Sequence, residues 1–151
     1  MKKKMRCIVT GGCGFLGSHL VEKLLLENHS VTIIDNLSTG NLDNISKFKR
    51  KVKLIIADIE DSKKIKKYFK KVDWVFHLAA RADIVPSIEN PKKYFYSNVV
   101  GTFNIIQECR NKKIKKLIYI ASSSSYGIPK NYPTSEESQI DNKYPYALTK
   151  Y

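Results

Sequence analysis

The 151-residue sequence predicts a doubly wound α/β fold, a parallel five-stranded sheet in the order 3-2-1-4-5 with helices on both faces and the chain ending inside a last helix. Three observations carry this. Short apolar, β-branched runs alternate with stretches of helical period, the pattern of βαβ units with right-handed crossovers. The first run leads at once into glycines at three-residue intervals, Gly11, Gly14 and Gly17. The second run ends on a carboxylate, Asp35, 18 residues beyond Gly17.

Met5 to Thr10 reads as strand one, and behind the glycines Phe15, Leu16, His19, Leu20, Leu24 and Leu25 recur at helical spacing. Ser30 to Asp35 is strand two, closed by the polar turn Asn36-Leu37-Ser38-Thr39-Gly40. Lys53 to Ala57 is strand three and Ser62 to Lys70 a short basic helix. Asp73 to Leu78 is strand four, near-continuously apolar as a strand covered on both faces must be. Asn90-Pro91 carries the signature of an N-cap followed by proline at the first helical position, opening a long helix through about Asn111. Lys116 to Ala121 is strand five. The stretch from Ser122 to Lys143, with its serines, Gly127, Pro129 and Pro133, reads as a long loop, and a final helix opens at Tyr144.

Composition narrows the class. A hydrophobic content of 42% over this length is enough for one compact domain with a real core. No apolar run approaches the roughly 18 residues of a membrane span, so no membrane partner is expected. The start, Met1-Lys2-Lys3-Lys4-Met5-Arg6, is charged like a secretory signal, but only Cys7-Ile8-Val9 follow before the glycines, which points to a cytoplasmic protein. Cys7, Cys13 and Cys109 form neither a disulfide framework nor a metal-ligand spacing, so no metal is expected. The formal charge of +13 raises nucleic acid as a partner, yet 23 of the 27 basic residues are lysine and only 4 arginine. Arginine is the residue suited to bidentate recognition of phosphates and bases. The lysines fall where solvent faces are expected, Lys63, Lys64, Lys66, Lys67, Lys70 and Lys71 around one short helix, so no nucleic acid is expected.

Ligands of doubly wound sheets bind beyond the carboxyl ends of the strands, so the residues just after each strand are the informative ones. Gly11, Gly14 and Gly17 answer to a tight turn, a backbone that lets a pyrophosphate approach, and close packing of the following helix, whose N-terminus faces the anion. Asp35 is placed to accept the ribose hydroxyls of an adenosine, and its charge repels a 2′-phosphate, which favours NAD over NADP. Tyr146 and Lys150 stand at i and i+4 on one helix face. A tyrosine acting as a base near neutrality needs its pKa brought down from about 10 by roughly 3 units, about 4 kcal/mol, and a nearby ammonium is a plausible source. Strand five runs directly into Ser122-Ser123-Ser124-Ser125-Tyr126-Gly127, which sets hydroxyls at the same edge.

With these go Ala57-Asp58-Ile59 after strand three, His77-Leu78-Ala79-Ala80 after strand four, and Asn98-Val99-Val100-Gly101-Thr102 in the long helix. Together they resemble the extended short-chain dehydrogenase/reductases, specifically the NAD-dependent nucleotide-sugar epimerase/dehydratase family, over essentially the whole chain. The resemblance implies a Rossmann domain in which Gly11, Gly14, Phe15, Leu16 and Gly17 hold the NAD pyrophosphate. It implies Asp35 and Asn36 at the ribose, Asp58 and Ile59 at the adenine, and Ala79, Ala80 and Asn98 on the nicotinamide side. Tyr146 would be the base, Lys150 its electrostatic partner and a ribose ligand, and Ser123 the hydroxyl that orients the substrate, with Ser122 and Ser124 close rivals. The family's usual Ser-Pro-Tyr is Tyr144-Pro145-Tyr146 here. Relatives continue for about as many residues again, with a nucleotide-sugar domain, so residues 1–151 are expected to be the incomplete NAD-binding half, inactive alone and homodimeric when intact.

Between reactions, the serine run has no carboxylate of the kind a nucleotide-sugar dehydratase needs to eliminate water. The expectation is therefore C4 epimerisation of a UDP-sugar, UDP-glucose and UDP-galactose or their N-acetyl analogues, through a transient 4-keto sugar. The alternatives are a dehydratase and a non-catalytic NAD-binding fragment.

Overall fold

The computed structural model describes residues 3–151, so the charged start at Met1 and Lys2 lies outside the described residues. In chain order the elements are β1 (Arg6–Thr10), α1 (Phe15–Leu26), β2 (Ser30–Asp35), β3 (Lys53–Ile56), α2 (Ser62–Ile65), β4 (Trp74–His77), α3 (Ile84–Glu89), α4 (Pro91–Tyr94), α5 (Gly101–Asn111), β5 (Lys116–Tyr119) and α6 (Pro145–Lys150). The chain forms two compact units. The first takes the residues up to Ala79 with Gly101–Ile120, the second Ala80–Val100 with Ala121–Tyr151.

The first unit contains the whole sheet, in the order β3-β2-β1-β4-β5, with every pairing parallel. Alternate residues of β1 explain why it lies at the centre. Cys7 and Val9 face a core with Val21, Leu24, Val31, Ile33 and Phe48. Ile8, between them, faces a second core with Ile34, Ile65, Phe69, Val75 and Ile105. A strand buried on both faces has no polar positions to spare, and each of these side chains contributes roughly 1.5–3 kcal/mol by leaving water. Helix α1 buries Gly17, Ser18, Val21 and Leu24. Phe15 and Leu16, counted with its apolar spacing, are instead 75% and 61% exposed.

The second unit holds α3, α4, α6 and the serine segment, where Ser123–Tyr126 winds into a 3-10 turn inside the expected loop. The Asn90 side chain accepts from Lys93 N–H at 3.1 Å, with Pro91 in the first turn, as the sequence signature requires. The helix predicted to run on from there widens after Tyr94 into a π-helical turn, Phe95–Val100, before α5 begins. Helix α3 has no counterpart in the sequence reading.

Candidate functional site

In the first unit the segments that follow the strands at their carboxyl ends are built around glycine and one carboxylate. Gly11 has φ +70°, and a Cβ there would lie 2.8 Å from the Ala79 backbone nitrogen. A Cβ on Gly17 would stand 2.0 Å from the Gly11 carbonyl oxygen, so α1 packs onto the turn only because this residue has no side chain. Gly14 differs: a Cβ there meets Gly11 O alone, at 3.3 Å, so the turn is open beside it. Gly14 is also the N-cap of the 12-residue α1, gives it no side-chain cap, and the first turn holds no acidic residue. Phe15, Leu16 and Gly17 thus bring first-turn amides, which have no partners inside a helix, to an open and uncapped end. Those features fit the pyrophosphate of a dinucleotide.

Asp35 ends β2 and is 6% exposed. One carboxylate oxygen accepts from Cys13 N–H at 2.9 Å and the other from Leu37 N–H at 2.8 Å. The carboxylate therefore ties the glycine turn to the turn after β2, and each oxygen retains a further lone pair for a hydroxyl. A Cβ on Gly40 would come within 3.0 Å of it, so glycine at that position keeps its flank clear. Asn36 donates through Nδ2 to Asp58 at 2.7 Å, while the other Asp58 oxygen accepts from Glu60 N–H at 2.9 Å. Ile59 is buried in the second core, and its carbonyl accepts from the Asn104 amide at 3.0 Å.

Thr10 and His77, adjacent at the ends of β1 and β4, were not singled out as site residues by sequence reasoning. Thr10 Oγ1 lies 2.6 Å from His77 Nδ1 and accepts from Ala79 N–H at 3.1 Å, and His77 Nε2 lies 2.8 Å from Thr102 Oγ1. This chain of bonds fixes the Ala79 backbone beside Gly11. Two hydroxyl residues and a histidine at strand and helix ends were the available signal.

In the second unit Asn98, 2% exposed, lies in the π-helical turn and spends both ends of its amide. It accepts from Arg81 N–H at 2.7 Å and donates to Arg81 O and to Thr149 Oγ1, both at 3.0 Å. Asn98 therefore pins the segment just past Ala80 and also α6. Tyr146 and Lys150 share α6, as their spacing predicts, with Pro145 in its first turn. Tyr146 is half-buried; its N–H donates to Ser87 Oγ at 3.1 Å and its ring meets the Tyr94 ring edge-on at 6.3 Å. Tyr94 is fixed in turn by its hydroxyl, which donates to Ala82 O. Lys150 is 5% exposed, and burial pushes its ammonium down to about 8. Ser122 caps the 3-10 turn, its hydroxyl 2.7 Å from that of Ser124, and Ser123 stands exposed outside that pair. No cluster of histidine, cysteine and carboxylate able to hold a metal occurs among the described residues.

The family model described as NAD dependent epimerase/dehydratase family matches residues 7–151. The sequence is similar to a putative UDP-glucose 4-epimerase of Methanocaldococcus jannaschii, 42% identical over 146 residues that cover 95% of this chain and 47% of the relative. It is similar also to the UDP-glucose 4-epimerase of Lactobacillus helveticus, 34% identical over 148 residues covering 97% and 44%. Among solved structures, a UDP-N-acetylglucosamine 4-epimerase from Methanobrevibacter ruminantium in complex with UDP-N-acetylmuramic acid superimposes with TM-score 0.91 at 38% identity, covering 98% of this chain and 47% of that one. A UDP-glucose 4-epimerase from Brucella ovis in complex with NAD gives 0.89 at 32% identity, covering 97% and 44%. The chain spans about half the length of the relatives it matches.

Proposed function

The chain belongs to the NAD dependent epimerase/dehydratase family, and from that premise we propose that it is the NAD-binding half of an enzyme that inverts C4 of a UDP-sugar. The observation that carries the choice of reaction is the turn after β5. Ser122–Ser125 brings four hydroxyls and no carboxylate to that place. Asp141, whose N–H donates to Ser125 O at 2.9 Å, has its own carboxylate held by Lys143 at 2.6 Å. Elimination of water from a sugar needs a free acid and base there, whereas epimerisation needs one base.

Gly11, Gly14, Phe15, Leu16 and Gly17 would hold the pyrophosphate of NAD, Asp35 and Asn36 its ribose, Asp58 and Ile59 its adenine, and Ala79, Ala80 and Asn98 its nicotinamide side. Support comes from the open, uncapped start of α1 and the fixed Asp35 carboxylate. When bound, the cofactor supplies the acceptor for the C4 hydride and returns it to the other face of the sugar. Tyr146 would take the proton from the C4 hydroxyl. Lys150, with its charge partly stripped of water, gains most from a neighbouring anion and so would favour the tyrosinate. Ser123 would orient the sugar, with Ser122 and Ser124 engaged with each other. Asn36, already bonded to Asp58, would act through its remaining polar capacity.

We further read the protein as cytoplasmic, from three thiols kept free, and as a homodimer. The exposed Phe95, Tyr96 and Val99 of the second unit, and Leu148 on α6, supply apolar surface for a second copy. The test of the reaction is to supply UDP-galactose, or its N-acetyl analogue, to the protein expressed from its full reading frame. The gluco epimer should form without net NADH, and Tyr146→Phe should lower kcat by about 10²–10⁴-fold. Accumulation of a dehydrated keto-sugar would overturn the reading.

A further inference from the structure

We propose that the first unit carries a second binding site, at the sheet edge opposite the glycine turn, for a small ligand with two or more phosphate groups. A cleft of about 630 Å³ opens there, walled by the starts of β1, β2 and β3 and by the segment that leads into β4. Its lining includes Arg6 and six lysines, Lys4, Lys51, Lys53, Lys67, Lys70 and Lys71, and not one acidic residue. Arg6 is engaged with Asp73 at 3.7 Å. The six lysines belong to none of the ion pairs among the described residues, which use other cations. A solvated lysine surface intersperses charges of both signs; here like charges face one hollow and repel. Two of them are also posted, because Lys53 and Lys67 each hold Nζ 5.1 Å from the centre of the Tyr68 ring.

Size and chemistry narrow the ligand. The volume lies within the roughly 300–1,000 Å³ of small-molecule sites, and a hollow suits a compact polyphosphate better than an extended strand of nucleic acid. Lysine binds phosphate as a point charge and reads no base pattern, so the charge of the ligand matters more than its scaffold. Ser30 and Thr32, also in the lining, add hydroxyls. Strands of four to six residues put this edge roughly 13–20 Å from the glycine turn, at about 3.3 Å per residue, so both sites fill independently.

The experiment is calorimetric titration of the protein with inorganic tripolyphosphate, with and without saturating NAD, at low and high salt. Binding should persist in the presence of NAD, weaken with salt, and fall about tenfold or more in Lys53→Gln/Lys67→Gln/Lys70→Gln. Removal of equal charge elsewhere, Lys112→Gln/Lys113→Gln/Lys130→Gln, should change it less than about threefold. Tripolyphosphate should raise the melting temperature of the wild type more than that of the cleft variant. Equal losses in both triple variants, competition by NAD, or retention of an oligouridylate without binding of tripolyphosphate would each overturn the proposal.

Discussion

Thr10 Oγ1 accepts the Ala79 N–H at 3.1 Å and lies 2.6 Å from His77 Nδ1. His77 Nε2 lies 2.8 Å from Thr102 Oγ1, so both ring nitrogens face a hydroxyl. Thr10→Val keeps the shape but leaves a buried amide and a ring nitrogen without that partner. Urea unfolding should show a loss of about 1–3 kcal/mol, and Thr10→Ser should restore most of it; an unchanged midpoint in the valine variant would refute the role. Gly17→Ala should be worse, since its Cβ would sit 2.0 Å from Gly11 O, backbone that cannot step aside. A circular dichroism melt should show a loss above about 3 kcal/mol or no folded state. Gly11, Gly17 and Asp35 were legible in the sequence because few other residues meet their demands. The bonding roles of Thr10, His77 and Arg81 were not, because a hydrogen bond between distant residues leaves no local spacing to read.

Helix α6 carries the clearest consequence at the scale of an element. Lys150 is buried and its pKa is about 8 in the fold, against 10.5 for an ordinary lysine. A depressed folded pKa means that stability from this group is fully present above pH 10.5 and is lost as pH falls through 8. At pH 7 the protonated, desolvated ammonium therefore weighs against the fold, by an amount on the order of 1–3 kcal/mol. Lys150→Met should raise the urea midpoint at pH 7 and flatten the rise expected between pH 8 and 10.5; parallel pH profiles for the two proteins would contradict this. The elements were legible in proportion to their punctuation. Asn90-Pro91 announced α4, whereas α3 begins at Ile84 behind Asp83, which has φ +75° and gives no side-chain cap, and the helix carries Pro86 in its first turn. The π-helical turn was hidden because one residue more per turn leaves the surrounding apolar pattern intact, yet it is where Asn98 lies.

For the whole molecule, sheet order and strand positions followed from alternation and turn chemistry, with edges shifted by one or two residues where chains fray. The division into two units was not legible, since it depends on which distant segments pack together. Net charge gives the central claim its sharpest test. A chain of +13 attracts anions in general, and on that ground alone it would prefer NADP, the more negative of the two dinucleotides. In the function we propose, preference for NAD comes from a local carboxylate, Asp35, held by Cys13 and Leu37 amides at 2.9 and 2.8 Å. The decisive measurement is titration of the 151-residue chain with NAD and NADP side by side. One saturable NAD site, at least about tenfold tighter than NADP and with that ratio shrinking in Asp35→Asn, is the predicted result. Equal or tighter binding of NADP, or no saturable NAD binding by a folded chain, would contradict the account.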